Sequence, residues 1–515
     1  MNYGRFYSGL MNPMYESENM DDYVMATYLV GARREEDAIV KATSIAIEQT
    51  TGSWADVATE TDEVRKTYAG KVFGVYEVPD FVNQVDLDLY KGEMRYYVMR
   101  IGYPVVNFKN NLPLMLSSIT GNITALPMLK CMDIEFPESF VADFKGPKFG
   151  IQGIRDILGV YDRPLLNNMI KPCTGWTPEQ GAQLFYEAAV GGVDWIKDDE
   201  LIGGNTSFNA IVDRVKRNME MADKANAIEG EKTIYSVNIT DEVVNLKRNA
   251  TAAIAAGANA VMVDLYCIGF SALRMLAEDP EINVPILAHP CFCGAATVAP
   301  YNGVNYNVYA KLARLCGADV QLVANPYGKF DCIKYPIISN LNHMRNKFYD
   351  IKPSMPLFGG GTIPGNVKTI IDDTGIDSIM GVGAAIHGFP KGPTAGAQGL
   401  RAAIDCAIHG RDILEEAKQN ENLRIGLETW GLVGKDDVKN NSLSGIGPPH
   451  PTHNHQPFCG GAPCRRRSII EWEDSYGILS FGPGRRVHQR ESQPDRQAEP
   501  CFFQRLCGVS RPVSG

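Results

Sequence analysis

Gly191-Gly192-Val193-Asp194-Trp195-Ile196-Lys197-Asp198-Asp199-Glu200 is the stretch on which the reading of this chain turns. A short apolar run leads into Lys197, Asp199 and Glu200. Alternation along a strand puts Lys197 and Asp199 on one face, with Glu200 at the strand's carboxyl end. A lysine beside two carboxylates can be a plain ion-pair cluster or a solvated charge patch. A deprotonated lysine can also add CO2, which turns a cation into a carbamate anion. Three oxygen-bearing anions at one strand end then suit Mg2+, a hard cation that prefers oxygen ligands and keeps positions open for substrate.

The rest of the chain supplies the frame. From residue 165 onward, strand-like apolar runs alternate with helical patterns. The runs are Leu165–Lys171, Val193–Asp199, Thr233–Thr240, Ala260–Tyr266, Pro285–His289, Asp319–Asn325, Met355–Gly361 and Ser378–Gly383. Eight such runs with helices between them predict a parallel (β/α)8 TIM barrel. Thr177-Pro178-Glu179 opens one helix with a cap residue followed by proline in the first turn. Gly257 and Gly317 end helices that lead into the next strand. Residues 20–145 lack this rhythm: Tyr23–Leu29 and Met94–Tyr103 read as strands and Glu35–Gln49 as a helix, a small α+β domain. The expected organisation is an arm over residues 1–20, the α+β domain over 21–148 and the barrel over 149–441, with the boundary near Phe149-Gly150-Ile151.

Residues 442–515 differ in kind. From residue 446 to 515 there are nine arginines and no lysine, and four of the chain's eight histidines fall there. His450, His453, His455, Cys459 and Cys464 could hold zinc, but their spacing matches no standard site. The segment reads as a disordered or aberrant tail without function.

At 515 residues, two domains plus extras are the natural expectation. A hydrophobic content of 44% with 21% charged residues fits a soluble globular protein, and a net charge of -10 gives no electrostatic reason to expect nucleic acid as a partner. No stretch approaches the roughly 18–20 apolar residues that span a bilayer. The first 20 residues lack the basic start and apolar core of a signal peptide. Twelve cysteines in a chain this long do not suggest a disulfide scaffold, so a reducing cytoplasm is expected. Cys291 and Cys293 read as buried thiols rather than a metal site.

The decapeptide resembles the metal-site motif of the RuBisCO large-chain superfamily, with both glycines, the strand and all three ligands in register. The resemblance extends over roughly residues 20–432. It implies a ferredoxin-like α+β domain ahead of the barrel, Lys197 as the carbamylated lysine, and Asp199 and Glu200 as its Mg2+-binding partners. Lys171, in Ile170-Lys171-Pro172, matches a family lysine that moves protons at the enolised carbon. Such a buried amine near other cations would have a lowered pKa; an ordinary strand-end lysine is the plain alternative. His289 matches a family histidine near metal and substrate oxygens, and otherwise reads as a satisfied core histidine. Lys329, in Pro326-Tyr327-Gly328-Lys329, aligns with the loop lysine that steadies a carboxylate in the carboxylases, and otherwise is a solvated loop residue. Gly359, Gly360 and Gly361, with Gly381 and Gly383, follow strands seven and eight, where such barrels bind phosphate through backbone N–H groups. Glu48, Ser53, Trp54 and Asn122 resemble positions that complete a neighbouring subunit's site, which implies a homodimer or a multiple of dimers. Read plainly, Trp54 is a core aromatic and Thr51-Gly52 a turn.

Several positions depart from the carboxylase pattern. Cys173 replaces a lysine, Pro290 an arginine, Cys293 and Leu322 histidines, and Gly359 a serine. Several of these losses fall where the carboxylases hold a second phosphate, and a neutral surface cannot offset the desolvation of a phosphate dianion. The implied substrate is a small keto compound with one phosphate. Ala26-Thr27-Tyr28-Leu29, Ala277-Glu278-Asp279-Pro280-Glu281, Ala288-His289-Pro290 and Gly375-Ile376-Asp377 look most like RuBisCO-like (form IV) proteins, in particular the 2,3-diketo-5-methylthiopentyl-1-phosphate enolases of methionine salvage. Those enolases carry a lysine where this chain has Asn122, and they lack a counterpart of Lys329. A decarboxylase of a phosphorylated oxo acid sugar, a ribulose-bisphosphate carboxylase and a non-catalytic binding homologue are the alternatives.

Overall fold

A computed structural model describes residues 11–52, 57–78, 94–329 and 334–433. All eight predicted runs form strands of one closed parallel barrel: Leu165–Met169, Trp195–Lys197, Ile234–Asn238, Ala260–Asp264, Ile286–His289, Val320–Ala324, Met355–Gly359 and Ile379–Val382. The eighth strand pairs back onto the first, Ile379 opposite Leu165. They are called the first to eighth barrel strands below.

The two-residue period of a strand sorts their side chains. Leu165, Trp195, Ile234, Ala260, Met262, Leu287, Val320, Leu322, Met355, Leu357 and Ile379 form one buried cluster inside the barrel, closed below by Ile151, Ile154 and Leu158 of the helix Gly150–Leu158. The alternate residues, among them Leu166, Ile196, Tyr235, Val261, Phe358 and Met380, join the larger cluster shared with the surrounding helices. Phase alone therefore aims three polar side chains at the top of the interior. Lys197 is in phase with Trp195, Asp264 with Ala260 and Met262, and His289 with Leu287.

Most of the runs were predicted longer than the strands they contain. Leu165–Lys171 yields Leu165–Met169, and Val193–Asp199 yields Trp195–Lys197. Beyond those points the chain leaves the hydrogen-bonded ladder to build the loops above the barrel. Lys197 and Asp199 thus do not share a strand, because pairing stops at Lys197. The helix begun by Thr177 spans Pro178–Ala189 and carries a full capping box with Gln180.

In the N-terminal domain, Tyr23–Arg33 lies between Met94–Pro104 and Leu129–Glu135, antiparallel to both, and Lys71–Glu77 flanks Met94–Pro104. The predicted strand over Tyr23–Leu29 runs on to Arg33, and the helix Ala38–Glu48 starts later than expected because Asp37 caps it. Gly303–Val304, from the loop region of the barrel, adds a parallel strand to this sheet beside Leu129–Glu135. After the helix Pro393–Ile408, the helices Ile413–Ala417 and Glu421–Trp430 follow, with Leu423 fully buried. No described helix is long and apolar enough to cross a membrane. The tail over 442–515, with its histidine and cysteine cluster, lies outside the described residues, as do Ser53 and Trp54.

Asp319 ties the barrel floor together. Its carboxylate accepts from the backbone N–H groups of Phe149 (2.7 Å), Gly150 (2.9 Å) and Ile286 (2.9 Å), and it is 1% exposed. Asp319→Ala leaves three backbone donors, two of them buried, without this partner, so we expect a loss of about 3 kcal/mol in urea unfolding, with no direct contact to the opposite end of the barrel.

Candidate functional site

Lys197 ends the second barrel strand with no solvent exposure. Its Nζ donates to the Asp198 carbonyl at 2.8 Å and stands 3.7 Å from Glu200 Oε2. Burial lowers its pKa from the ordinary lysine value, while Glu200 and Asp199 pull in the opposite direction. The neutral amine is therefore more accessible here than on a surface lysine. Asp199 is 2% exposed; its Oδ2 accepts from Lys171 Nζ at 2.6 Å and its Oδ1 from the Leu201 N–H at 3.3 Å. Glu200 lies on the more open side, with Oε2 3.4 Å from His289 Nε2.

Lys171 sits two residues beyond the first strand and also donates to Cys173 Sγ at 2.9 Å. Its pKa is a correction to the sequence reading. Burial alone would lower it, but the bonds to Asp199 and Cys173 prevail and raise it. The amine is paired with a carboxylate rather than surrounded by cations alone. His289 ends the fifth strand; burial, with the nearby cations Lys197 and Lys171, holds its pKa well below the ordinary histidine value, so it is neutral. The Cys291 N–H donates to its Nδ1 at 3.2 Å.

Two residues that sequence reasoning passed over complete the arrangement. Asp264 ends the fourth strand directly opposite His289, with 3.8 Å between Oδ1 and Nδ1. The signal was present: Asp264 closes an apolar run in inward phase, as Lys197 does. Asp198 points the other way and holds the loop rigid. It accepts from Tyr235 Oη at 2.7 Å and, at 3.0 Å each, from Arg214 Nε and the Asn238 N–H; neither Asp198 nor Arg214 is exposed. Because Asp198 is anchored outside the barrel, its neighbours Lys197 and Asp199 stay over the interior.

The glycines divide by cause. A Cβ on Gly381 would meet the Phe358 carbonyl at 2.5 Å, so barrel packing already excludes any side chain there. A Cβ on Gly359 would crowd Leu322. Gly360 and Gly361 have φ of 89° and 94°, and Gly361 leaves no room for a Cβ against the Lys329 nitrogen. The Lys329 N–H donates to the Gly360 carbonyl at 3.1 Å, which joins the loops after strands six and seven; its side chain is exposed. Gly383 follows the eighth strand, where a Cβ would lie 3.1 Å from Lys171 Cε. The loops carrying Gly383 and Lys171 therefore adjoin. In the N-terminal domain, Glu48 ends its helix and the exposed Asn122 opens a 3-10 turn; their segments abut, since a Cβ on Gly121 would meet Gln49 Oε1 at 2.5 Å. Cys291 and Cys293, expected to be buried, are both partly exposed.

A parallel barrel with a lysine and two carboxylates clustered at one strand end, preceded by a small α+β domain, defines a recognisable class. Residues 150–430 match the model of the ribulose bisphosphate carboxylase large chain, catalytic domain, and residues 9–140 that of its N-terminal domain. This chain belongs to the RuBisCO large-chain family, among its RuBisCO-like proteins. It is 42% identical over 424 residues to a ribulose bisphosphate carboxylase-like protein of Archaeoglobus fulgidus, covering 82% of this chain and 96% of the relative. It is 34% identical over 412 residues to a 2,3-diketo-5-methylthiopentyl-1-phosphate enolase of Geobacillus thermodenitrificans, covering 80% and 98%. Among solved structures, the rubisco-like protein MtnW of Alicyclobacillus acidocaldarius superposes with a TM-score of 0.73 at 32% identity, over 80% of this chain and 100% of that one.

Arg214→Met would leave the buried Asp198 carboxylate without its cation. Breaking a buried pair on one side costs about 3–5 kcal/mol, which a urea titration of the variant should read as a lower midpoint at unchanged slope.

Proposed function

We propose that this protein is a Mg2+-dependent enolase of a small ketone carrying one phosphate, of the kind represented by the 2,3-diketo-5-methylthiopentyl-1-phosphate enolases. The observation that carries the reading is the fully buried Lys197 amine, lowered in pKa by burial, beside Asp199 and Glu200. The free amine attacks the carbon of CO2 and releases a proton to solvent, leaving a carbamate where the protonated amine would be a buried cation. The carbamate, Asp199 and Glu200 then form an all-oxygen donor set that fits Mg2+, and they would hold it. Bound there, Mg2+ polarises a substrate carbonyl and stabilises negative charge on its oxygen.

The chain's own residues do the rest. Asp199 now holds Lys171 charged through their ion pair. With Asp199 turned to a cation, Lys171 would lose that partner, release its extra proton to solvent and, as the free amine, serve as the base for the carbon beside the substrate carbonyl. Neutral His289 offers its Nε2 side to a substrate oxygen. Gly360, Gly361 and Gly383, with Gly359 and Gly381 in the adjoining strands, form the phosphate side. Pro290, Cys293 and Leu322 leave the other side without a charge for a second phosphate. Glu48, Ser53, Trp54 and Asn122 would come from the partner subunit of a homodimer, in the cytoplasm.

A decarboxylase of a phosphorylated oxo acid is the second reading, favoured by Lys329 on the loop that touches Gly360. Its test is Lys329→Met. Under the enolase reading the substitution changes kcat/KM by no more than about twofold, whereas loss of a pairing with a substrate carboxylate costs about ten- to a hundredfold. The main test is turnover of 2,3-diketo-5-methylthiopentyl-1-phosphate, followed by the absorbance change on enolisation. Activity should require both Mg2+ and preincubation with CO2, and Lys197→Ala should abolish it. Full turnover by Lys197→Ala in CO2-free buffer would refute the carbamate.

A further inference from the structure

The neighbouring ends of the fourth and fifth barrel strands carry a second group of donors, on the far side of the His289 ring from Glu200. Asp264 and His289 end these strands in direct register. Cys267 follows the first by three residues and Cys291 follows the second by two. The Asp264 carboxylate, a ring nitrogen of His289 and Cys291 Sγ all lie within 4.8 Å of one another. Asp264 Oδ1 is 3.8 Å from His289 Nδ1, and Cys291 Sγ is 3.9 Å from Cys267 Sγ.

Those separations are at or slightly wider than the spacing in a formed metal site, so the side chains would draw in by about 1 Å or less. Around a tetrahedral ion with bonds of about 2.0–2.3 Å, ligand atoms stand about 3.3–3.8 Å apart. A second, independent observation points the same way. Asp264 is only 5% exposed; Cys291 and Asn238 approach its carboxylate, yet its Oδ1 has no hydrogen-bond partner among the described residues. A buried carboxylate oxygen is not left unpaired without cost, and a cation at this point would satisfy it. The imidazole is already in the needed tautomer: Nδ1 accepts the Cys291 N–H, so it presents a lone pair on the side of Asp264, and the ring proton lies on Nε2 toward Glu200. A cation here would take over the Nδ1 lone pair that now accepts from the Cys291 N–H. Cys267 is exposed, so the cluster has a path to solvent, and its Sγ already contacts Cys291 Sγ at the edge of the three-residue group.

We propose that Asp264, His289 and Cys291, with Cys267 as fourth donor, form a second cation site for a borderline-soft dication of the Zn2+ class. Sulfur and imidazole donors favour such an ion over Mg2+, which sets this group apart from the oxygen donors of Asp199 and Glu200. Binding displaces the proton of each thiol as a metal–sulfur bond forms, and the protons go to solvent. The His289 ring then stands between two sites, with Nδ1 on this cation and Nε2 still facing Glu200.

The test uses the full chain, reduced and freed of metal with a chelator, with Co2+ as the spectroscopic probe. One equivalent should give thiolate-to-cobalt charge transfer and the intense visible bands of tetrahedral coordination. One equivalent of Zn2+ should displace it, and excess Mg2+ should not. Cys291→Ser and Asp264→Asn should each weaken Zn2+ binding at least about tenfold in competition with a chromophoric chelator. Cys267→Ser, an exposed change that leaves the core intact, should lower the charge-transfer intensity and the affinity. Lys197→Ala should keep the spectrum, which separates this site from the proposed Mg2+ site. The proposal is overturned by a wild-type chain with no thiolate band, by either serine variant with unchanged spectrum and affinity, or by loss of the band in Lys197→Ala.

Discussion

A lysine amine with no exposure, at the top of a closed barrel, is the constraint around which the rest of this molecule is arranged. A charge in that position costs several kcal/mol in lost hydration unless partners offset it. Here the nearest carboxylate oxygens are only partly available. Asp199 is bound to Lys171 at 2.6 Å, and Glu200 stands 3.7 Å away while also facing His289. Two amines and two carboxylates are then close to balance as they stand. Carbamylation of Lys197 would turn the group into three anions against one cation, a surplus that one dication neutralises. On this account the burial that disfavours a charged Lys197 and the site's affinity for Mg2+ have the same origin.

Rigidity comes from outside the barrel. The loop after the second strand would be free to swing if only Lys197, Asp199 and Glu200 defined it. Asp198 prevents this, because its three donors come from Arg214, Tyr235 and the Asn238 backbone, all buried. Its donors hold Asp198 outward while Lys197 and Asp199 face inward, so a single charged run supplies both the anchor and the chemistry. At the opposite end, Asp319 binds the floor of the barrel to the helix that plugs it. Stability and function are thus assigned to different ends of the same strands, as is general for this architecture.

The eight strands were legible because a parallel barrel strand is short, apolar and separated by a helix, and each of those features is local. Strand ends were less legible: the runs continue past the point where ladder pairing stops, and pairing is a property of neighbours. Lys197, Asp199, Glu200, Lys171 and His289 were found by motif and register, and the structure gathers all five. The protonation of Lys171 was misread, because its pairing with Asp199 crosses 28 positions of sequence. Asp264 was missed although its phase was readable, since an aspartate after an apolar run looks like an ordinary strand terminator. Cys291 was read as a buried thiol because nothing local shows that Cys267 and Asp264 converge on it.

Carbon-13 NMR of the intact protein equilibrated with labelled CO2 and Mg2+ reads whether the Lys197 amine takes up CO2 to create the metal site. One slowly exchanging carbamate carbon per chain, stabilised by Mg2+ and absent from Lys197→Ala, is the expected result. An unlabelled wild-type chain, or a carbamate signal that survives in Lys197→Ala, would contradict it.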